Sequence, residues 1–360
     1  MAKIDVAILG ATGAVGQRFI ALLQDHPWFR VAEVAASVRS AGKTYGEACN
    51  WVLDGHPPPE VAALTIKPLD QPIAAPLVFS ALPGQAAHEI EPRLAASGRV
   101  VCSNASTYRM AHDVPLLLPE VNADHIRLID QQRNNRDWKS GALVTNSNCT
   151  SMPATMALAP LRQFEPTHVH MVSMQAISGA GYPGVAALDI VDNVIPYISG
   201  EEEKLIVEPA KMLGTLTEDA SSIRALPLSA SASCNRVPVL DAHLVSVAVR
   251  LAARPTMDQI QMAWETFQAP PNVRNLPSTP AKPVIYTSLP DRPQPRRDRY
   301  VGKGMSTVVG RLRPCAAIDG VQFVALAHNT IRGAAGGSIL NAELLLQEGY
   351  LDGVQRADVG

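Results

Sequence analysis

The sequence predicts an α/β protein in two halves: a Rossmann-type, doubly wound dinucleotide-binding domain and a second α/β domain. Three observations carry this. A buried-strand pattern runs into a glycine turn and then a helix near the N-terminus. Strand-like apolar runs alternate with helical segments over roughly the first 150 residues, the pattern of a parallel sheet. The 360 residues also exceed what one hydrophobic core commonly organises.

Taken in order, Lys3-Ile-Asp-Val-Ala-Ile-Leu9 is the strand, Gly10-Ala-Thr-Gly13-Ala-Val-Gly16 the turn and Gln17-Arg-Phe-Ile-Ala-Leu-Leu23 the helix. The first glycine permits a tight turn. The others let backbone and helix approach a pyrophosphate, whose charge the helix N-terminus accommodates. The expected cradle is Gly10, Thr12, Gly13, Ala14, Val15 and Gly16. After a second strand, Val31–Ala36, come Ser37, Arg39, Ser40 and Lys43, with no carboxylate until Glu47. An NAD site places an acidic residue here for the ribose 2′-hydroxyl, whereas cations and hydroxyls suit the 2′-phosphate of NADP. Ser80 ends a later strand that faces the cofactor, and a strand over 98–103 leads into Asn104–Arg109. The polar run Asp130–Lys139 reads as an exposed excursion.

An apolar run, Ala142–Thr145, then delivers Cys149 into a small polar turn before a helix expected over Ala154–Leu161. Unpaired N–H groups and the dipole at a helix mouth stabilise a thiolate, so the position suits a nucleophile. Taken alone, Cys149 is equally compatible with a small buried hydrophobe. A strand over 167–175 is able to present Gln175 nearby, followed by the glycine-rich loop 176–184 and a short amphipathic segment, Leu188–Ile195. The helix expected over 200–213 carries Glu208 and Lys211 on one face. His243 heads a strand that continues to Leu251. A reactive thiol needs a proton acceptor in the range where histidine titrates. There are nine histidines, however, and spacing does not choose among them. Asp291–Arg299 reads as an extended or intersubunit arm with solvated charges. Strands over 305–312 and 320–327 lead to a second glycine turn, 328–338, and a closing helix over 339–348.

Composition narrows the class. The formal net charge of −2 argues against a nucleic-acid partner held by bulk electrostatics. No apolar run reaches membrane-spanning length, so a soluble, cytoplasmic protein is expected. The five cysteines lie far apart without a CxxC pair, which suggests neither a metal cage nor a disulfide framework.

Five motifs, in order, together resemble the aspartate-β-semialdehyde dehydrogenase family, most of all the branch found in archaea, fungi and some bacteria. They are Gly10–Gly16, Ser147-Asn-Cys149-Thr, Gln175-Ala-Ile-Ser-Gly-Ala-Gly-Tyr-Pro-Gly184, Asn235-Arg-Val-Pro-Val-Leu-Asp241 and His328-Asn-Thr-Ile-Arg-Gly-Ala-Ala-Gly-Gly337. The resemblance implies an NADP-binding domain over 1–148, completed by a terminal segment of about 330–360, and a catalytic and dimerisation domain over 149–329. It implies a homodimer or homotetramer that reduces L-4-aspartyl phosphate to L-aspartate 4-semialdehyde, releasing phosphate, in lysine, threonine and methionine biosynthesis. By the same resemblance Cys149 is the acylated nucleophile, His243 its acid/base, and Gln175 the residue that orients the thioacyl group. Arg236 and Glu208 hold the substrate's carboxylate and amino group, while Lys211, Arg109 and Asn148 bind phosphate. Ser178, Gly179 and Asn329 complete the cofactor contacts. A malonyl-CoA-type reductase of the same fold is the rival reading, and a non-catalytic NADP-binding sensor a more distant one. The chain departs from the family at Ala242-His243-Leu244-Val245, where Gly-His-Thr-Glu is usual.

Overall fold

A computed structural model describes residues 3–351; residues 352–360 of the expected closing segment lie outside the described residues. The first sheet has seven strands, in the order Lys67–Pro68, Phe29–Ala36, Ile4–Leu9, Leu77–Ser80, Val100–Ser103, Ala142–Asn146 and Leu116–Leu117. All its pairings are parallel. Its central strands are buried almost throughout, which is why they are continuous apolar runs without alternation. The closing helix, Gly336–Gln347, is buried on every face from Gly336 to Leu345. Ile339, Leu340, Leu344 and Leu345 belong to the same core as Ile8, Phe79 and Val144, so the chain returns to the first domain. A helix apolar all round is the form such burial demands.

Two segments differ from their expected form. The polar run 130–139 is largely helix, Leu128–Arg136, with Asp130, Asn134, Asn135, Asp137 and Lys139 exposed and Gln132 and Trp138 buried. Gln132 is fully buried there, donating to the carbonyls of Asp113 and Leu143 and accepting from the Leu143 N–H (2.8 Å). One fully bonded amide thus anchors a helix whose composition reads as solvent-facing. The Asp291–Arg299 arm is folded back: Asp298 is buried and pairs with Arg292, and also accepts the Gln294 N–H (2.6 Å).

The second sheet has six strands, in the order Ser229–Arg236, Pro166–Gln175, His243–Leu251, Gly320–Ala327, Thr307–Cys315 and Val284–Thr287, with mixed directions. One face packs Met171, Val245, Val247, Val249 and Phe323 against Met152, Met156 and Leu158 of the helix Ser151–Leu158. Trp264 closes this core edge-on to Phe323 at 5.0 Å, its indole N–H bonded to the Ala157 carbonyl (2.8 Å). The strand ends matter most for the site. Arg236 pairs with Gln175, and His243 opens the next strand on the same edge. Cys149 arrives at this edge from the carboxyl end of the first sheet, where doubly wound folds bind their ligands. Among the described residues no helix is long and apolar enough to cross a membrane, and no His, Cys, Asp and Glu cluster forms a metal cage.

Candidate active site

Cys149 sits between the fully buried strand Ala142–Asn146 and the helix Ser151–Leu158. Asn148 caps that helix: its side-chain oxygen accepts the N–H groups of Thr150 (2.8 Å) and Ser151 (3.1 Å), and its carbonyl accepts that of Met152 (3.0 Å). These donors were expected to stabilise the thiolate, and they are already bonded. The thiol is accordingly pushed up to about 12, mainly by burial and then by Glu201, while Arg109 and Arg236 pull the other way. In the ligand-free protein burial and Glu201 therefore favour the thiol of Cys149 over its thiolate.

Gly333 presses directly on this residue. A Cβ added there would lie 2.8 Å from the Cys149 Cβ and 3.0 Å from its Cα, so only glycine fits. Gly333 belongs to a π-helical turn, Ile331–Ala335, a distortion that often marks functional sites. The Asn146 side chain donates to the carbonyl of Ala334 (3.1 Å), and Arg332, fully buried, pairs with Glu120 (2.5 Å).

His243 is fully buried, and its Nδ1 accepts the Ala176 N–H (3.0 Å). The neutral ring therefore carries its proton on Nε2, which has no partner among the described residues. Burial, and then Arg236, hold its pKa down to about 3. Arg236 donates to the Ala176 carbonyl (2.8 Å) and has no ion-pair partner among the described residues. A Cβ on Gly179 would fall within 3.0 Å of both Arg236 Nη1 and His243 Nε2, so this glycine leaves both groups open. Ala242, in the position where the family usually has glycine, keeps a left-handed backbone (φ +84°). Leu244 lies on the outer face of the sheet beside Met174 and Leu326, and Val245 joins the core.

The helix Glu201–Met212 contributes differently from expectation. Glu208 is not free: it pairs with Arg109 (2.9 Å) and accepts the Asn148 N–H (2.7 Å). Lys211 is not free either, since its ammonium donates to the carbonyls of Arg109 (2.7 Å), Ala111 (2.8 Å) and Val114 (2.9 Å). Three carbonyls satisfy its three donors, although burial lowers its pKa to about 8. The carboxylate that faces the thiol is Glu201, with Asn148 (3.0 Å), Gln175 (3.3 Å) and Lys204 (2.8 Å) around it. Burial works against its ionisation, but Lys204, Asn148 and Gln175 outweigh this and its pKa falls below the ordinary range. Both amide ends of Asn148 are thus bonded within the protein. Glu201 with Lys204 has the same i, i+3 spacing as Glu208 with Lys211, seven residues earlier and so on the same helix face. Spacing cannot tell the two pairs apart; the depth of the helix in the fold does.

The glycine turn has the form expected of a dinucleotide cradle. Gly10 is left-handed (φ +71°), and a Cβ there would meet the Ala81 carbonyl oxygen at 2.6 Å. A Cβ on Gly16 would meet the Gly10 carbonyl oxygen at 2.4 Å. Gly13 caps the helix Ala14–Leu23 with no side-chain bond, leaving the N-terminus to an anion. Arg39 and Lys43 are exposed beside it. The first nearby carboxylate, Glu47, is committed to the Thr44 N–H (3.1 Å) and hydroxyl (2.7 Å). A cleft of about 480 Å³ opens from Ala14 and Arg18 toward Ser178, Pro183 and Thr330. Ser80 is fully buried, its hydroxyl toward Glu91, and does not reach this cleft.

Residues 5–129 match the family model described as semialdehyde dehydrogenase, NAD binding domain, and residues 158–332 match the corresponding dimerisation domain. The aspartate-semialdehyde dehydrogenase of Archaeoglobus fulgidus is 47% identical over 347 residues, 96% of this chain and 99% of that protein. The malonyl CoA reductase (NADP) of Metallosphaera sedula is 39% identical over 354 residues, 97% of this chain and 98% of that protein. The crystal structure of aspartate semialdehyde dehydrogenase with NADP from Candida albicans superposes with a TM-score of 0.87 at 36% identity, covering 96% of this chain and 99% of that one. With both halves matched, and with a thiol, a histidine and a free arginine converging where the two sheets meet, the chain belongs to the aspartate-semialdehyde dehydrogenase family.

Proposed function

We propose that the protein is an NADP-dependent aspartate-semialdehyde dehydrogenase, which reduces L-4-aspartyl phosphate to L-aspartate 4-semialdehyde and releases phosphate, in amino-acid biosynthesis. One observation carries the substrate: Cys149 is flanked by a carboxylate, Glu201, and by a guanidinium, Arg236, that lacks an ion-pair partner among the described residues. A thiol between opposite charges suits a small zwitterion whose carboxylate is clamped by Arg236 and whose ammonium replaces Lys204 at Glu201, freeing Lys204.

Cys149 attacks the acyl phosphate carbon and gives up its thiol proton, the C–O bond to phosphate breaks with that proton leaving on the phosphate as hydrogen phosphate, and a thioester forms on sulfur. Arg109, whose Nε is buried without a partner, and half-exposed Lys204 are placed to hold the phosphate. Lys204 thereby takes the role expected of Lys211. Gln175 orients the thioester, and His243, expected as the acid/base, acts instead as a donor, its Nδ1 being bonded to the Ala176 N–H and its Nε2–H meeting the tetrahedral oxyanion. The thioester keeps an electrophilic carbonyl, to which the dinucleotide, when bound, supplies the hydride. The thiol's raised pKa ties its activation to the arrival of substrate, because Arg109 and Arg236 favour the thiolate while burial and Glu201 oppose it.

The glycine turn binds the pyrophosphate of NADP, and Arg39, Ser40 and Lys43 meet the 2′-phosphate. A charge-assisted contact of about 1.5–3 kcal/mol corresponds to roughly tenfold to a hundredfold in affinity. Arg39→Ala should narrow the ratio of NADP to NAD efficiency by that factor. A wild type that uses both cofactors equally well excludes this role for the loop. A second copy of the chain is expected on the outer face of the second sheet. Val172, Met174, Leu244 and Val324 are half-buried there, and Leu188, Val191, Val194 and Tyr197 are exposed in the 187–197 segment. That segment forms only one helical turn, Ala187–Ile190, and leaves its apolar side chains uncovered.

The malonyl-CoA reading has a specific support in the Metallosphaera sedula relative, and Glu201 separates the two. Glu201→Gln should lower kcat/KM for aspartate semialdehyde by about tenfold or more, the worth of a buried charged contact. An analogue lacking the amino group should lose little. Equal losses on both compounds would remove Glu201 from ammonium recognition.

A further inference from the structure

Asn329 lies at the end of the strand Gly320–Ala327, where a cofactor contact was expected. Both ends of its side-chain amide are already engaged within the protein. Its oxygen accepts the Ala242 N–H (2.8 Å), and its nitrogen donates to the Ser178 hydroxyl (2.8 Å). Ala242 is the residue before His243 and sits in the left-handed region that a Cβ disfavours. Ser178 precedes Gly179, whose backbone lies against His243 Nε2 and Arg236 Nη1. One amide therefore bridges the two segments that flank the imidazole. We propose that Asn329 is a positioning residue, which holds Ala242 in its left-handed conformation and the Ser178 turn in place, and so aims the His243 Nε2–H at the oxyanion of a Cys149-bound acyl group.

The neighbouring contacts agree with this. The Ala176 N–H fixes Nδ1 of His243 and leaves Nε2 without a partner among the described residues. Thr330, next in the chain, accepts from Arg18 Nε on the helix that opens the dinucleotide cradle (3.2 Å). The segment 328–330 is thus anchored to the first domain while it clamps the second. A glycine at 242 adopts φ > 0 unaided and would not need the clamp. A chain with alanine there does.

The role of His243 in this proposal rests on the function proposed above, so the test includes two readouts that need no turnover. Asn329→Leu removes both bonds, Asn329→Asp keeps the acceptor for Ala242, and Ala242→Gly is combined with each. In Asn329→Leu, amide exchange in the segment 238–245 should accelerate about tenfold or more. NADP affinity, titrated without substrate, should change less than about threefold, and kcat should fall by about tenfold to a hundredfold, the effect of a small misplacement of a reacting group. Asn329→Asp should keep slow exchange at 238–245. Adding Ala242→Gly to Asn329→Leu should recover part of kcat. A tenfold or larger loss of NADP affinity with kcat retained at saturation, and no rescue by Ala242→Gly, would make Asn329 a cofactor ligand and overturn the proposal. Unchanged exchange in Asn329→Leu would overturn it as well, and Asn329→Asp supplies the reading if the leucine variant does not fold. A wild type inactive on aspartate semialdehyde, with the exchange and affinity results as expected, leaves the clamp standing and refutes the assigned substrate instead.

Discussion

Cys149→Ala should lower turnover by about 10⁴-fold or more while NADP binds within about threefold of wild type, because the covalent step has no second nucleophile to fall back on. The other cysteines stand elsewhere: Cys315 ends the strand Thr307–Cys315 opposite Gly320, at the far end of the sheet from His243. Cys102 and Cys234 are fully buried among apolar side chains, and Cys49 is bonded to Tyr45 (3.2 Å). In the ligand-free protein the pH dependence of alkylation should follow the raised pKa of Cys149, about 12. A raised thiol pKa means the thiolate is scarce below it, so the rate should climb about tenfold per pH unit and show no plateau up to pH 10. A plateau below pH 8, or an acyl adduct recovered on another cysteine, contradicts the assignment of the nucleophile.

The largest expected effect on stability lies one turn from the thiol. Arg332 and Glu120 are both completely buried, and they pair across the junction between the first domain and the π-turn that presses Gly333 on Cys149. Removing one partner leaves the other charge buried without compensation, which costs about 3–5 kcal/mol. Arg332→Met should therefore lower the free energy of urea unfolding by that amount. The pair is itself incompletely bonded: Arg332 Nε and Nη1 and one Glu120 oxygen have no partner among the described residues. Replacing both ends with apolar residues, Arg332→Met with Glu120→Leu, should recover most of the loss. If the double variant is as unstable as the single one, the pair is held by something other than charge.

Much of this fold is legible in the sequence because its strongest elements are local. Ile4–Leu9, the glycine turn and the helix after it combine burial pattern, turn chemistry and capping within twenty-odd residues. Cys149 and His243 are legible in part, since each stands at the junction of an apolar run and a polar turn. What is not legible depends on depth and long-range pairing. Glu201 and Glu208 occupy the same face of one helix, each with a lysine three residues on. Only the fold shows that Glu208 and Lys211 brace the Arg109 loop while Glu201, paired with Lys204, acts on the thiol. The polar helix Leu128–Arg136 is hidden because much of its anchoring is polar, through the buried Gln132 amide, Arg133 and the Arg136–Asp113 pair, which no hydrophobic periodicity reports. The direction of the Cys149 pKa shift escapes for a similar reason. A helix mouth predicts free N–H donors, but Asn148, one residue before the cysteine, bonds them.

The central claim is that Cys149, Arg236 and Glu201 form a site for a small zwitterionic acyl phosphate. It is tested most directly by following NADP reduction with L-aspartate 4-semialdehyde, with and without inorganic phosphate, beside NADPH oxidation with malonyl-CoA. The account predicts NADP reduction that requires phosphate, and malonyl-CoA turnover lower in kcat/KM by about a hundredfold, the loss expected when Glu201 has no ammonium to meet. Phosphate-independent behaviour toward the semialdehyde, together with efficient reduction of malonyl-CoA, would contradict it.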